Sequence, residues 1–257
     1  MQCFGSAFFL FINLFYFCKM SKRILLLFIS LFVLSLSAQK ESISSYNVIT
    51  INYKHNSKVF AYAEGQLRGT KDFSYPDYYE LKGGIGYNLA ENHKPLIGIG
   101  RYVNYKNHSL EKEEFRVWLQ DVYDLKAGKF KFENRFRAEK SWFYNSVTEE
   151  HSDRIRLRYR FNISVPLNSE KVQSGTLSAM VYDETFFVVT DNPLFARNRV
   201  FGGFTYQIDD HFALTSGYLW QREFADSGNK NLHFIYLGLS LNIDRSEAKN
   251  KDLPDLD

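Results

Sequence analysis

Apolar and polar side chains alternate most clearly between Asp153 and Leu167. The apolar positions are Ile155, Leu157, Tyr159, Phe161, Ile163 and Val165, and the polar positions between them are Arg154, Arg156, Arg158, Arg160, Asn162 and Ser164. Successive strand side chains point to opposite faces, so the stretch predicts a β-strand with one apolar and one cationic face. On a helix the same side chains would surround the axis without a coherent face. A transmembrane β-barrel accounts for both faces, because lipid covers the outside and a polar interior holds the arginines.

Strand-like segments separated by turns continue along the whole chain after Ser42. We predict eleven: Ile43–Tyr53, Val59–Arg68, Tyr78–Asn88, Pro95–Asn104, Glu113–Leu125, Phe130–Trp142, Arg154–Leu167, Gly175–Phe186, Asn198–Ile208, Phe212–Arg222 and Leu232–Ile243. A tilted strand needs roughly 9–11 residues to cross a bilayer, about twice the average strand of soluble proteins. The predicted fold is therefore all-β, an antiparallel transmembrane β-barrel of about 10–12 strands, a range that includes the even counts usual in bacterial barrels.

The connections between these segments are expected to alternate in length along the sequence. Short ones are expected at Lys54–Lys58, Leu89–Lys94, Lys126–Lys129, Asn168–Ser174 and Asp209–His211, and longer ones at Gly69–Asp77, Tyr105–Lys112, Phe143–Ser152, Phe187–Arg197 and Glu223–Asn231. Short periplasmic turns and long outer loops are typical of bacterial outer-membrane barrels. The first connection does not fit, because two periplasmic termini and an even strand count would make Lys54–Lys58 an outer loop.

Residues 1–38 have the composition of a leader that does not belong to the fold. Met20 to Arg23 is a short basic region, Ile24 to Leu34 is apolar, and Ala38 places a small residue before the expected cleavage point, so 20–38 is predicted to be a cleaved signal peptide with Met20 as the true start. A retained N-terminal anchor is the alternative. The predicted domains are this leader, a barrel over residues 39–244 and a charged tail over 245–257.

Removal of the leader changes the charge and the cysteine count of the chain. The formal net charge is +3, and Lys19, Lys22 and Arg23 are three of the 32 basic residues, so 29 basic residues remain against 29 acidic ones. This balance gives no indication of nucleic-acid binding. Cys3 and Cys18 also leave with the leader, which excludes a disulfide or a cysteine metal site in the mature protein. The expected location is the bacterial outer membrane, with its lipid as the partner.

Four short phrases along the chain together resemble one family of bacterial proteins. They are RIRLRYRF at 154–161, YDETFF at 182–187, RNRVFGGFTY at 197–206 and GYLWQ at 217–221. In order and spacing they are similar to DUF2490, a family of uncharacterised exported proteins. The resemblance spans roughly residues 45–243 and implies an outer-membrane β-barrel without a known substrate. The charged tail differs from the terminal aromatic residue with which many outer-membrane proteins end.

Charged side chains on the inner faces form the leading candidate site. The candidate network consists of Arg154, Arg156, Arg158, Arg160, Glu133, Arg135, Arg137, Glu139, Glu184, Arg197 and Arg199. Pairing of these charges would fill a narrow lumen, as buried charges require partners. The alternative is a cationic lumen that binds or passes anions. Pairing is the favoured interpretation.

The remaining residues give little sign of catalysis or of a bound cofactor. No histidines have ligand spacing, so we expect no metal, and no nucleotide-binding motif is found, so we expect no cofactor. His151, Ser152 and Asp153 are the residue types of a hydrolase, but chain neighbours rarely form a triad. Three functions remain: a structural or pore-type outer-membrane barrel, which is favoured, an outer-membrane lipid-modifying enzyme, and a soluble periplasmic β-barrel binding protein.

Overall fold

The structure is a computed structural model that describes residues 43–69, 73, 75–106, 108–191 and 193–246. The expected leader at 1–38 and residues 247–257 of the expected tail lie outside the described residues. No helix among the described residues has the length and apolar character needed to cross a membrane.

Eleven β-strands form one closed barrel, in which each strand pairs with its neighbours in the sequence. The strands are β1 (Ile43–Lys54), β2 (Val59–Gly69), β3 (Pro76–Tyr87), β4 (Leu96–Lys106), β5 (Ser109–Ala127), β6 (Phe130–Asn145), β7 (Glu150–Pro166), β8 (Leu177–Val188), β9 (Phe195–Gln207), β10 (Phe212–Glu223) and β11 (Lys230–Asp244). The predicted all-β barrel and its strand count are confirmed. Its position in a membrane stays a prediction.

The barrel closes through a parallel pair between its first and last strands. A closed barrel with an odd number of strands must contain one parallel pair, because strands that alternate in direction cannot otherwise meet. Side chains join this seam: Asn52 Nδ2 donates to Asn242 Oδ1 over 2.9 Å, and Lys54 Nζ lies 2.8 Å from Asp244 Oδ2. We call the end of the barrel at Ile43 the N end and the end at Asp244 the C end.

The connections do not alternate in length as the sequence suggested. At the N end, residues 107–108 and 146–149 join strands that extend much further than expected, so the predicted loops Tyr105–Lys112 and Phe143–Ser152 are mostly strand. The longest connections, residues 88–95 and 167–176, both lie at the C end. The prediction was wrong because polar residues at strand ends were interpreted as loop, although β5 to β7 continue through them.

Large apolar side chains face outward and charged side chains face inward along most of the barrel. Leu81, Ile85 and Leu119 are 65%, 63% and 63% exposed, whereas Glu139 and Glu184 are each only 2% exposed. The alternation of each strand produces this arrangement, because one face lines the lumen and the other forms the outer surface. The distribution is the reverse of that in most water-soluble proteins.

The lumen is not uniformly polar. Tyr46, Val48, Phe201, Leu219 and Phe234 form an apolar cluster on the wall made by β1 and β9 to β11. Charged side chains line the rest of the lumen, on β2, β3 and β5 to β8, with Arg197 and Arg199 added from β9. An eleven-stranded barrel is wider than the eight-stranded size that side chains just fill, so aromatic rings and arginines are needed to occupy its interior.

Candidate functional site: the charged waist of the lumen

The register of β6 and β7 brings four arginines face to face in the lumen. Arg137 lies opposite Arg158, and Arg135 lies opposite Arg160. Like charges directly opposite each other on a sheet repel, so this arrangement requires carboxylates nearby. Glu139 on β6 and Glu184 on β8 supply them. We call these two glutamates, with the six arginines around them, the charged waist: Arg116, Arg135, Arg137, Arg156, Arg158 and Arg199.

Glu139 lies at the centre of the charged waist, and its side chain has no exposed surface. Its Oε2 accepts a hydrogen bond from Arg156 Nε at 2.7 Å, and Arg156 Nη2 lies 2.5 Å from the same oxygen as an ion-pair contact. Its Oε1 accepts one from Arg158 Nη1 at 2.7 Å. Arg137 and Arg116 approach Oε1 to 3.6 Å and 3.7 Å. A buried carboxylate needs charge pairing and hydrogen bonds on both oxygens, and Glu139 has them.

Glu184 forms the second centre of the charged waist, with a side chain that is 2% exposed. Its Oε1 accepts hydrogen bonds from Arg135 Nη2 at 2.5 Å and from Arg158, with Nη2 at 2.7 Å and Nε at 3.1 Å. Arg199 Nη1 lies 3.7 Å from Oε2. Arg158 therefore bridges Glu139 and Glu184 with the two sides of one guanidinium group. Its planar fork allows this double pairing, which a lysine could not reproduce.

Phe186 supports the same cluster from β8 and is 1% exposed. Four guanidinium groups lie over its ring, with centroid distances of 4.4 Å for Arg158, 5.2 Å for Arg199, and 5.4 Å for both Arg156 and Arg197. Cations are attracted to the faces of aromatic rings, most strongly where water is excluded. The ring of Phe186 thus fills the space between the arginine side chains. It also stabilises the positive charge of their guanidinium groups.

The remaining expected network residues lie around the charged waist. Glu133 accepts a hydrogen bond from Arg160, Arg197 pairs with Glu223 at 2.5 Å, and Arg199 donates to Gln221 at 2.7 Å. The structure therefore brings ten of the eleven expected residues into connected pairs or ring contacts across one face of the lumen. Whether they carry a function stays a prediction.

Arg154, the eleventh, is different, because it makes no ion pair with any described residue. Its guanidinium carbon lies 4.7 Å from the centroid of the Phe143 ring, and its buried Nε has no hydrogen-bond partner. Lys112 Nζ lies 4.2 Å from the centroid of the same ring. Lys112 likewise makes no ion pair with a described residue. Two cations without a matching carboxylate thus share one aromatic ring near the N end.

Several large side chains that face the lumen are almost completely buried at the level of the charged waist. The inward-facing Trp118 and Phe186 are each 1% exposed, and Leu219 on the far wall has no exposed surface. A cavity of about 590 Å³ lies on the N-end side and one of about 370 Å³ on the C-end side. Both cavities touch a shared boundary that consists of Tyr46, Lys82, Arg158 and Arg199.

The sequence did not identify every residue of this interior. Glu114 and Arg116 on β5, and Glu80 and Lys82 on β3, are two residues apart and share the polar face of their strand. The same period-two pattern that identified the other charges could therefore have placed these four in the network. Lys82 pairs with Glu64 at 2.6 Å. Phe186 gave no such signal, because an aromatic residue on an ambiguous strand fits the outer face equally well.

Two further expectations concern catalysis and metal binding. His151, Ser152 and Asp153 follow one another on β7, so Ser152 points away from the other two. His151 packs on the ring of Tyr144, and Asp153 pairs with Lys140 on the outer surface. They do not form a triad. Within the described part of the chain, no three metal-ligating side chains form a cluster.

Comparison with known proteins identifies the family of the chain, and the description of that family names no activity. No curated protein matches the chain. The sequence model of the family described as "Protein of unknown function (DUF2490)" matches residues 43–232, which span β1 to the start of β11. The order and spacing of the four phrases predicted this family, and the match confirms it. The chain belongs to the DUF2490 family.

Proposed function

We propose that the protein is a bacterial outer-membrane β-barrel with a structural or solute-binding role, and that side chains close its lumen at the charged waist. The observation that carries the proposal is the apolar outer surface combined with a charged, buried interior. Exposed apolar surface of this extent is costly in water and favourable in lipid. Of the two roles expected from the sequence, structural or pore-type, we keep the structural one, because a closed lumen does not conduct.

The height of the apolar surface supports a position across a bilayer. On β5 the outward-facing Phe115, Val117 and Leu119 lie between two outward-facing acids, Glu113 and Asp121. Eight residue steps at roughly 3.3 Å separate those acids, which is about 26 Å along the strand and about 20 Å along the axis at a tilt of ~40°. Outer-membrane barrels have an apolar band of about 25 Å.

Polar pairs border this band on the outer surface. One outward pair, Lys140 with Asp153, lies within the band, because Lys140 is opposite Val117. The bordering pairs lie nearer the ends: near the N end, Arg101 Nη2 lies 2.5 Å from Glu113 Oε1. Near the C end, His93 Nε2 lies 2.7 Å from Asp121 Oδ2. Charged side chains are least costly at the membrane interfaces, where water reaches them. Their positions therefore support two interfaces with the apolar band between them.

The charged waist supports a closed lumen. Anion or cation pores lined by charged rings keep those charges in contact with water. Here Glu139 and Arg158 instead satisfy each other out of contact with solvent, with side-chain exposures of 0% and 9%. The outward Leu81 and Ile85 disfavour the soluble periplasmic alternative, and no geometry favours the lipid-modifying one.

Three measurements test this proposal. The mature protein is expected in the outer-membrane fraction after carbonate washing, and the unboiled protein is expected to migrate faster than the boiled protein in SDS gels. In planar bilayers the folded protein is expected to give no steady channel current, with an open porin measured in parallel as the control. Recovery in the soluble periplasm, or equal mobility before and after boiling, would contradict a membrane barrel. A steady current would contradict the closed lumen.

A further inference from the structure

We propose that the N-end cavity binds the phosphate monoester group of a small soluble molecule through Lys112 and Arg154. This inference goes beyond a closed barrel, because it assigns a binding site and a ligand chemistry. It depends on the cavity and its charges and not on a membrane location. The observation behind it is the pair of cations that share the Phe143 ring without a carboxylate partner.

The acids in the wall of this cavity are already engaged by other cations. Glu114 pairs with Arg116 at 2.6 Å, Glu223 with Arg197 at 2.5 Å, and Glu111 with Lys106 at 3.7 Å. Glu80 pairs with Lys82, and Asp77 interacts electrostatically with Arg68. Glu114 and Asp191 attract both Lys112 and Arg154 electrostatically, but neither acid forms an ion pair with either cation. Because the wall of the cavity carries more cations than acids, it still favours an anion beside these two groups.

The local geometry holds these two cations ready for an anion. Phe143 is 7% exposed and fixed between β5 and β7, and both cationic groups lie over its ring. Without an anion, the positive charges of Lys112 and Arg154 repel each other. The unpartnered Nε of Arg154 is a buried hydrogen-bond donor, and a buried donor without an acceptor is costly. An anion that accepts from Arg154 Nε would satisfy this donor, and its charge would offset the repulsion between the two cations.

The number and type of cations indicate a phosphate monoester. Such a group carries about −1.5 to −2 charges at pH 7 and presents three strong acceptor oxygens. Arginine binds phosphate through its planar fork, and lysine adds a compact point charge. A single carboxylate would neutralise only one of the two cations.

The size and enclosure of the cavity indicate that the phosphate belongs to a small soluble molecule and not to a membrane lipid. Its volume of about 590 Å³ lies within the ~300–1,000 Å³ range of small-molecule pockets. Lys112 and Arg154 face the lumen, and the closed hydrogen-bonded wall of the barrel separates them from the outer surface. Acyl chains of a membrane lipid cannot pass through that wall. The ligand must therefore enter from the N end as a free solute.

The test is a titration of the folded barrel in dodecyl maltoside micelles with glycerol 3-phosphate, followed by calorimetry at low salt. Lys112→Met combined with Arg154→Gln is expected to raise Kd at least about tenfold, since a charge-assisted contact is lost at each position. Lys112→Arg keeps the charge and is expected to retain binding. Lys129→Gln is the matched control, because Lys129 lies at the C end and pairs with Glu170 at 2.7 Å.

Several results would overturn the site. They are the absence of binding to the wild-type barrel, equal binding by the double variant, and binding of phosphatidic acid in the micelles without binding of glycerol 3-phosphate. The heat-dependent gel shift verifies that each variant is folded. If the double variant does not fold, binding by the single variant Lys112→Met decides, because Lys112 forms no ion pair that its removal would break. Recovery in the soluble periplasm would contradict the membrane proposal and leave this titration unaffected.

Discussion

Glu133 pairs with Arg160, which lies diagonally across the β6–β7 pair. The residue directly opposite Glu133 is Asn162, and Arg160 lies opposite Arg135. Sequence alternation places all of these side chains on one face but does not tell which of them meet. Glu133 therefore pairs with Arg160, because the register of β6 and β7 brings that guanidinium within hydrogen-bond distance of its carboxylate.

A double-mutant cycle tests this pairing. Glu133→Gln and Arg160→Gln are expected to show a coupling free energy of roughly 1–2 kcal/mol, because each single change removes the other's partner. The control cycle combines Glu133→Gln with Arg156→Gln, whose strand positions differ by about 20 Å at roughly 3.3 Å per residue. Those effects are expected to add. Urea unfolding of the barrel in lipid vesicles gives the free energies, and equal coupling in both cycles would show that the pairing is not specific.

Neutralising the centre of the charged waist is expected to destabilise the barrel strongly. Glu139→Gln leaves Arg156 and Arg158 buried without their shared carboxylate, which is expected to cost about 3–5 kcal/mol of unfolding free energy. Glu170→Gln removes an exposed carboxylate of the C-end connection and is expected to change stability by less than about 0.5 kcal/mol. Tryptophan fluorescence during urea unfolding measures both. A harmless Glu139→Gln change would indicate a water-filled waist.

An arginine on the outer surface is expected to report the depth of the membrane. Leu157→Arg is expected to cost about 2–4 kcal/mol near the midplane of the bilayer, because Leu157 faces outward with 46% exposure. Leu167→Arg changes an equally exposed leucine in the C-end connection, 52% exposed, and is expected to be nearly neutral. Unfolding from vesicles gives both values. Equal effects in vesicles would remove the argument for an apolar band.

Neighbouring glycines on β9 provide a matched test of packing in the lumen. A Cβ at Gly203 would lie 2.7 Å from the ring of Phe201 and 2.4 Å from the Ser216 carbonyl oxygen, whereas a Cβ at Gly202 meets no atom within 4 Å. Gly203→Ala is expected to cost roughly 1–3 kcal/mol through overpacking, and Gly202→Ala is expected to be neutral or slightly stabilising. The midpoint of urea unfolding distinguishes the two variants.

The turn between β9 and β10 is expected to make stability depend on pH. Asp209 Oδ1 accepts the backbone N–H groups of Phe212 at 2.7 Å and His211 at 2.8 Å, which hold the pKa of this exposed carboxyl below its usual value. A depressed folded-state pKa stabilises the fold above the unfolded value of about 3.9 and loses that effect as the pH falls through the folded pKa. Wild type is expected to exceed Asp209→Asn in thermal stability at pH 7, with a gap that closes in acid. A constant gap would contradict this role.

Strand identity and strand face could largely be predicted from the sequence. β7 alternates apolar and polar residues without interruption from Arg154 to Val165. Shifting that assignment by one residue would move every side chain to the opposite face of the sheet, so the pattern determines the faces clearly. The eleven segments therefore appear as eleven strands. Strand ends were harder to predict, since Glu113 and Tyr144 are polar or amphipathic residues that occur in loops and at membrane interfaces alike.

The contacts within the lumen could not be predicted in this way. They depend on the register and on which distant strands face each other. Glu184 lies on β8, yet it pairs with Arg135 on β6 across the intervening strand. Phe186 belongs to a strand without clear alternation, so its position under four arginines follows only from the folded barrel.

Because β1 and β11 run in the same direction, the barrel begins at one end and finishes at the other. In an even-stranded antiparallel barrel both would lie at the same end. Ile43 and Asp244 lie at opposite ends of the barrel, so reporter groups attached beside them would be separated by its full height. The same geometry makes circular permutation demanding. A linker from Asp244 back to Ile43 would have to run the height of the barrel, about 30 Å for a twelve-residue strand at roughly 3.3 Å per residue and a tilt of ~40°. Ten of the strands can be grouped into five hairpins, and the eleventh must join as a single strand.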